Sequence, residues 1–245
     1  MTTVAVLADP PRSGSNLPAL VDDVLTADEA TDLYRAMVRD TCLAVARSGA
    51  DLLVNYRADD QLDGDGESEA RLRETLDPVL DTESVRFEVQ VGSSQSARVG
   101  NTITHLLRDE GVRTAAITTP QSAFLARQHI DGAAMKLRQS PVVLGPAPDG
   151  RVTYAAFAEP IDFTAAFDSL ALPTLADRAR DADLNVDFIE MLPVLNRPAD
   201  LPTALSMLRA KRDTGVAVPE HTADVVSRLG LTVSVKTDGP VVERS

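Results

Sequence analysis

Lysine is nearly missing from this chain. Only Lys136, Lys211 and Lys236 occur along 245 residues, so arginine supplies most of the 24 positive charges. A single cysteine, Cys42, excludes an intramolecular disulfide and any multi-cysteine metal site. It falls four residues after Val38 inside an expected helix and reads as a small core residue, not a nucleophile. The three histidines, His105, His129 and His221, fall on separate expected helices with no shared ligand spacing, which argues against a His-rich zinc site. No stretch reaches 18 uninterrupted apolar residues, so no membrane span is expected. The opening MTTVAVLADPP has no basic region and enters a strand at once, so a signal peptide is not expected and the chain reads as cytoplasmic. No G-x-G-x-x-G follows the first strand, and there is no P-loop and no G-x-S-x-G elbow. A Rossmann dinucleotide site, a P-loop NTPase and an α/β-hydrolase are therefore poor readings.

Aspartate is abundant instead. It supplies 26 of the 37 acidic residues, and the net charge is −13. Short, strongly hydrated carboxylates in place of long lysine stems suit a salt-rich cytoplasm, where screening over about 3 Å at molar ionic strength suppresses self-repulsion. The composition thus reads as halophilic. A basic stripe for nucleic acid is disfavoured by the same count. Asp59, Asp60, Asp63, Asp65 and Glu67 form an acidic loop without EF-hand spacing and read as a solvated surface. The length and the 44% apolar content allow one large core, expected as a single domain over residues 1–236 with a loose tail over 237–245.

Strands and helices are expected to alternate. Strands read at Thr3–Ala8, Asp51–Tyr56, Val85–Val91, Val112–Thr118, Val142–Leu144, Val152–Phe157, Asn185–Leu192 and Leu231–Lys236. A capping box of Thr26 and Glu29 opens a long helix to about Ser48, with Gly49 as its stop. Further helices are expected at about Glu69–Leu76, Ala97–Glu110, Gln121–Arg138, Asp200–Arg212 and His221–Leu229, with short pieces between Asp162 and Asp183. The order implies an α/β protein: a three-layer α/β/α sandwich around a mostly parallel sheet, with Val152–Phe157 returning antiparallel.

The segment SPVVLGPAPDGRVTYAAF, residues 140–157, reads as a buried strand emptying into a tight turn at Pro148–Gly150. In an open α/β sheet, ligands bind where strands end. Gly145, Asp149 and Gly150 are therefore candidate ligand contacts, although Asp149 serves equally as a turn residue. This loop and the loop after the first strand, Arg12–Asn16, are expected to face one cleft.

Three segments carry a family resemblance: LTADEATDLYRAMVRDTCLAVA with its Asp40-Thr41 pair, VVLGPAPDG and RPADLPTALSML. Together with the strand-loop opening they resemble a glycosyltransferase A-like (GT-A fold) family within the nucleotide-diphospho-sugar transferases, over residues 3–210, with a more distant likeness to 2-phospholactate guanylyltransferases. The resemblance implies a GT-A-like sandwich that binds a nucleotide or nucleotide sugar at Arg12, Ser13, Gly14, Ser15, Asn16, Gly145, Asp149 and Gly150. It also implies where chemistry has been lost. The family's Pro-Gly-x-x-Lys-Thr-Arg-Leu loop is here Pro11–Pro18, with Arg12 the remaining phosphate candidate. Pro120 stands at the position of a metal-binding Asp, and Val194 and Asn196 replace two further acids. Asp200 survives but reads as a helix N-cap. Hard cations such as Mg²⁺ or Mn²⁺ need carboxylate oxygens, so the implied protein is a nucleotide binder with a degenerate metal site. Two alternatives stand beside it: an active Mg²⁺- or Mn²⁺-dependent transferase using Asp149 and Asp9, and a non-catalytic partner of an active paralogue.

Overall fold

The first strand, β1 (Thr2–Ala8), shows how the interior is divided. Val4, Val6 and Ala8 enter one apolar cluster, while Ala5 and Leu7 enter another. Successive side chains of a strand point to opposite faces, so both faces of this sheet are covered. The computed structural model describes residues 1–62, 66–237 and 239–244. Asp63 and Asp65 of the acidic loop lie outside the described residues.

After β1 come α1 (Ala27–Ala46), β2 (Asp51–Arg57), α2 (Ser68–Leu76), β3 (Arg86–Gln90), α3 (Gln95–Thr104) and β4 (Thr114–Thr118). Then follow α4 (Arg127–Lys136), β5 (Val142–Ala147), β6 (Arg151–Phe157), α5 (Ala171–Asp181), β7 (Val186–Phe188), α6 (Leu201–Asp213), α7 (Glu220–Arg228), β8 (Leu231–Lys236) and β9 (Gly239–Arg244). The main sheet has the order β3-β2-β1-β4-β6-β5-β7, with β6 antiparallel to both its neighbours and the other pairings parallel. Helices α1, α2, α4, α6 and α7 cover one face, and α3 and α5 the other. This is the expected three-layer sandwich.

Local chemistry fixes the long helix. Thr26 Oγ1 accepts the Glu29 amide at 3.3 Å, and the Glu29 carboxylate accepts the Thr26 amide at 2.8 Å. Arg244 Nη2 also donates to Glu29 at 2.6 Å. The Arg244 bond, followed by the Thr26 amide, holds the Glu29 carboxyl down at about 2. Cys42 is buried in this helix, as expected, and burial pushes its thiol up to about 12.

Four expectations need correction. Gln121–Arg138 is not one helix: Pro120–Ser122 forms a 3-10 turn, and α4 starts at Arg127. His129 Nδ1 accepts the Ala126 amide at 2.8 Å and so resets the helix start. The strand expected over Asn185–Leu192 pairs in register only over Val186–Phe188. Beyond Phe188 the chain stays beside β5 through the Ile189 and Leu192 amides, which donate to the Leu144 and Pro146 carbonyls at 3.0 and 3.1 Å, where β5 also shifts register against β6. β8, expected as a last strand, does not join the main sheet but pairs with β9 as a separate hairpin, and β9 falls in the tail that was expected to be loose. Asp200 occupies an N-cap position but makes no capping bond to α6. Its carboxylate turns back to accept the Asn196 and Arg197 amides at 3.1 and 3.0 Å.

The Asp40-Thr41 pair gains a structural meaning. Asp40 projects from α1 and accepts the His221 and Thr222 amides at 3.1 and 2.7 Å, satisfying the start of α7 from another helix. Burial pushes the Asp40 carboxyl up, and the two amides act against that. Asp40→Ala is expected to lower the unfolding free energy by about 1–2 kcal/mol, the usual cost of a lost helix cap. Asp40→Asn, which keeps an acceptor oxygen, should recover part of it. Urea titrations in molar KCl check this, and an alanine variant as stable as the parent would refute the capping role.

Candidate functional site

At the sheet edge where β1, β2, β3, β4, β5 and β7 end, β6 begins. From β1 the chain passes to β2 on one side, while β4 lies on the other. The order therefore reverses between β1 and β4, which is where an open α/β sheet leaves a crevice for a ligand. A cavity of about 510 Å³ opens at this place. Asp9, Arg57 and Gln90 line it from the ends of β1, β2 and β3, and Gln95 and Arg98 from the first turn of α3. Thr118 and Thr119 follow from β4, Arg151 and Thr153 from β6, and Val194 and Asn196 from the loop after β7.

Asp9 is held on two sides. Arg57 Nε and Nη2 donate to its two carboxylate oxygens at 2.6 Å each, a bidentate fork. The Asp9 amide donates to the hydroxyl of Tyr34, buried in α1, at 2.9 Å. The Asp9 bond pushes the Arg57 guanidinium above its ordinary range. Arg98 is in the opposite state. Burial, followed by repulsion from Arg57, pushes its guanidinium below the ordinary arginine range, and Asp9 opposes that only in part. Its Nε is buried with no hydrogen-bond partner among the described residues.

The helix that carries Arg98 is firmly placed. Ser94 Oγ caps it by accepting the Ala97 amide at 3.1 Å. Thr102 Oγ1 donates to Asn55 Oδ1 at 2.9 Å, and Asn101 Nδ2 to the Val91 carbonyl at 2.7 Å. Ser96 Oγ donates to Asp168 at 3.0 Å and accepts the Phe167 amide at 3.0 Å, tying the 167–168 loop beside the cavity.

On the far wall, Arg151 is fully occupied. It donates to Asp200 Oδ1 and Oδ2 at 2.5 and 3.0 Å and to the Pro148 carbonyl at 3.0 Å. Burial pushes the Asp200 carboxyl up, but Arg151 and the Arg197 amide outweigh it and leave the group below its ordinary range. Arg197 Nη2 completes the cluster on Asp149 at 2.7 Å.

Neither loop singled out in the sequence lines the cavity. Arg12 turns its buried guanidinium to the Gly66 carbonyl at 2.7 Å and to Asp59 at 3.4 Å, anchoring the acidic loop. Its amide donates to Asn16 Oδ1 at 2.6 Å, and the Ser15 amide to the Arg12 carbonyl at 3.1 Å. Ser13 Oγ donates to Asp28 at 2.7 Å, and Gly14 takes a φ of 78° at the loop's tip. Gly145 sits at the β5 bulge, where an added Cβ would fall 2.8 Å from Thr153 Oγ1. Asp149 and Gly150 adopt φ values of 60° and 68°, the left-handed turn that Asp tolerates and Gly prefers. Asp149 reaches the cavity wall only through its ion pairs with Arg197 and Arg151.

The positions that the resemblance reads as altered, Pro120, Val194 and Asn196, do come together. Val194 and Asn196 line the cavity beside Thr119 and Gln121, which flank the buried Pro120. The Leu195 amide donates to the Gln121 carbonyl at 3.0 Å and joins the two loops. Among the described residues lining the cavity, Asp9 is the one carboxylate, and Arg57 already engages both its oxygens. Proline and valine carry no ligand atom, and Asn196 offers only a neutral carbonyl. The donor set therefore does not fit a Mg²⁺ or Mn²⁺ ion. Elsewhere, Glu88, His105 and Glu110 cluster closely, but Arg86 already pairs with both glutamates.

The cations Arg57, Arg98 and Arg151 were not anticipated. Each lies at a strand end, a strand start or a first helical turn on the sheet edge that carries the cavity, and that position was the signal available.

The fold is that of the nucleotide-diphospho-sugar transferases. A candidate nucleotide-diphospho-sugar transferase from Desulfovibrio desulfuricans G20 superposes with a TM-score of 0.77 at 18% identity, over 93% of this chain and 94% of the other. The 4-diphosphocytidyl-2C-methyl-D-erythritol synthase of Anaerococcus prevotii DSM 20548 gives 0.52 at 12% identity, over 85% and 96%. A nucleotidyl transferase from Methanothermobacter gives 0.51 at 15% identity, over 87% and 97%. No protein-family model and no curated protein sequence matches the chain.

Proposed function

We propose that the chain binds a nucleotide or nucleotide sugar in the crevice between β1 and β4 and performs no metal-dependent transfer. The observation that carries this reading is the charge arrangement of the cavity. Its one lining carboxylate, Asp9, is neutralised by Arg57, while Arg98 stands as a cation without an ion-pair partner among the described residues. Such a cavity attracts an anion and offers a divalent cation nothing to hold it. The nucleotidyl and nucleotide-sugar transferases that share the fold support the ligand class. Transfer from a nucleotide diphosphate needs charge organised at the leaving group, and loss of one comparable element costs on the order of 10²–10³ in rate.

The test is a thermal-shift and product-formation screen of nucleoside triphosphates, nucleoside diphosphates and nucleotide sugars in molar KCl, with Mg²⁺, Mn²⁺ or EDTA. Stabilisation by members of the panel without turnover is expected. Turnover abolished by EDTA and by Asp9→Asn would overturn the absence of metal-dependent transfer. A panel in which nothing binds would overturn the reading entirely.

A further inference from the structure

We infer that the ligand is a diphosphate ester whose phosphates are held, free of any divalent metal, by the Arg98 guanidinium with Arg57 beside it. The inference rests on the nucleotide-binding reading above and adds the group recognised, the residue that recognises it and the ionic form of the ligand.

The energetic argument starts from Arg98. Arg98 is half-buried and its Nε is shut off from water without a partner, which carries a cost because part of the cation's solvation is lost and nothing replaces it. Here the cost is raised by a like charge on Arg57 in the same cavity. Many surface arginines of this chain pair with neighbouring acids, as Arg127 does with Asp131 and Arg212 with Asp224, and others such as Arg47 and Arg108 stand exposed to water. Arg98 does neither, in a protein with 37 acidic residues. Asp9 lies in the same cavity but is taken by Arg57 in a two-bond fork, so a second fork is left over. An anion entering the crevice would supply the missing partner.

The geometry selects the kind of anion. A guanidinium presents donors in a planar fork that matches phosphate oxygens two at a time. Arg98 sits on the first turn of α3 with Gln95, where the helix dipole is positive and favours negative charge. The cations stand on separate elements, Arg57 at the end of β2 and Arg98 on α3, so they suit a group that spreads its charge over several oxygens. A diphosphate does so, and the cavity of about 510 Å³ leaves room for the organic part. Guanidinium charge thus stands where the degenerate positions Pro120, Val194 and Asn196 provide no metal.

The experiment is titration calorimetry with inorganic pyrophosphate and the four common ribonucleoside diphosphates, at the lowest KCl concentration that keeps the fold. Each is run in EDTA and again in excess Mg²⁺ or Mn²⁺, with citrate as a polycarboxylate control. Binding in EDTA is expected, and excess metal should leave it weaker or at best unchanged, because a metal-complexed diphosphate offers the guanidinium groups less charge and fewer free oxygens. Arg98→Ala is expected to weaken it by roughly tenfold or more, as for loss of a charge-assisted hydrogen bond. Arg98→Lys should bind between the two, because it keeps the charge and loses the fork. Arg209→Ala, exposed on α6, should bind like the parent. Nucleotide binding that appears only with metal, or that Arg98→Ala leaves intact, would overturn this inference while leaving the nucleotide-binding reading standing. Citrate binding as tightly as the diphosphates would overturn the choice of ligand. No binding in any buffer would overturn both. The comparison of EDTA with metal uses the parent protein alone, so it decides even if the Arg98 variants fail to fold.

Discussion

At low salt the protein is expected to lose its helical circular dichroism signal, and in molar KCl to keep it. The cause is the net charge of −13 on a chain with only three lysines. Two electrostatic effects oppose each other. Exposed ion pairs such as Arg35–Asp32, Arg180–Asp177 and Arg209–Asp213 weaken as salt rises, but each contributes only tenths of a kcal/mol. Repulsion among the excess acids acts over many pairs at once and is screened by the same salt. Repulsion should dominate, so stability should rise with KCl. The measurement is the urea midpoint across a KCl series. Guanidinium chloride is unsuitable because it screens the charges it is meant to probe. Equal stability in dilute buffer and in molar KCl would defeat the halophilic reading.

Asp200→Ala is expected to cost about 3 kcal/mol, the scale for removing one partner of a largely buried ion pair. The Asp200 side chain is only 4% exposed, and its removal strands Arg151 together with the Asn196 and Arg197 amides. Partial exposure of Arg151 moderates the figure. A double variant with Arg151→Met should be more stable than Asp200→Ala alone, since an apolar side chain leaves no unpaired charge. The pH dependence follows from the same pair. The Asp200 carboxyl titrates below its ordinary value in the folded protein. Its contribution is therefore fully present above the unfolded carboxyl pKa and is lost as pH falls through the folded one. Urea titrations between neutral pH and the acid range should show the parent losing more stability than Asp200→Asn. Parallel pH profiles would remove the ion pair from the account.

These outcomes bear on what could be read from the residues alone. Signals confined to a few neighbouring residues were legible: the Thr26–Glu29 capping box, the Pro148–Gly150 turn, and the returning β6. The 3-10 turn at Pro120 and the late start of α4 were not, because a side chain three residues ahead, His129, resets the helix. The separate β8–β9 hairpin was hidden because its pattern matches that of any amphipathic strand. The candidate site was the least legible. The resemblance drew attention to Arg12, yet tertiary folding spends that side chain on Gly66 and Asp59. The cations that line the crevice lie far apart in sequence, and the order of the sheet, with β6 running antiparallel, brings Arg57, Arg98 and Arg151 to one edge.

The tie from α1 to the last elements sets an order of assembly. Asp40 waits for an amide 182 residues further along, and Glu29 for an arginine 215 residues further along. At about 5–20 residues per second, the partner of Asp40 leaves the ribosome roughly ten to forty seconds after Asp40 itself. Closing so long a loop adds little entropy cost once the sheet has formed, since that cost grows only logarithmically with length. The strands of the crevice can therefore pair first, while the face of α1 that will receive α7 and the hairpin stays open to solvent and to proteases until synthesis is nearly finished.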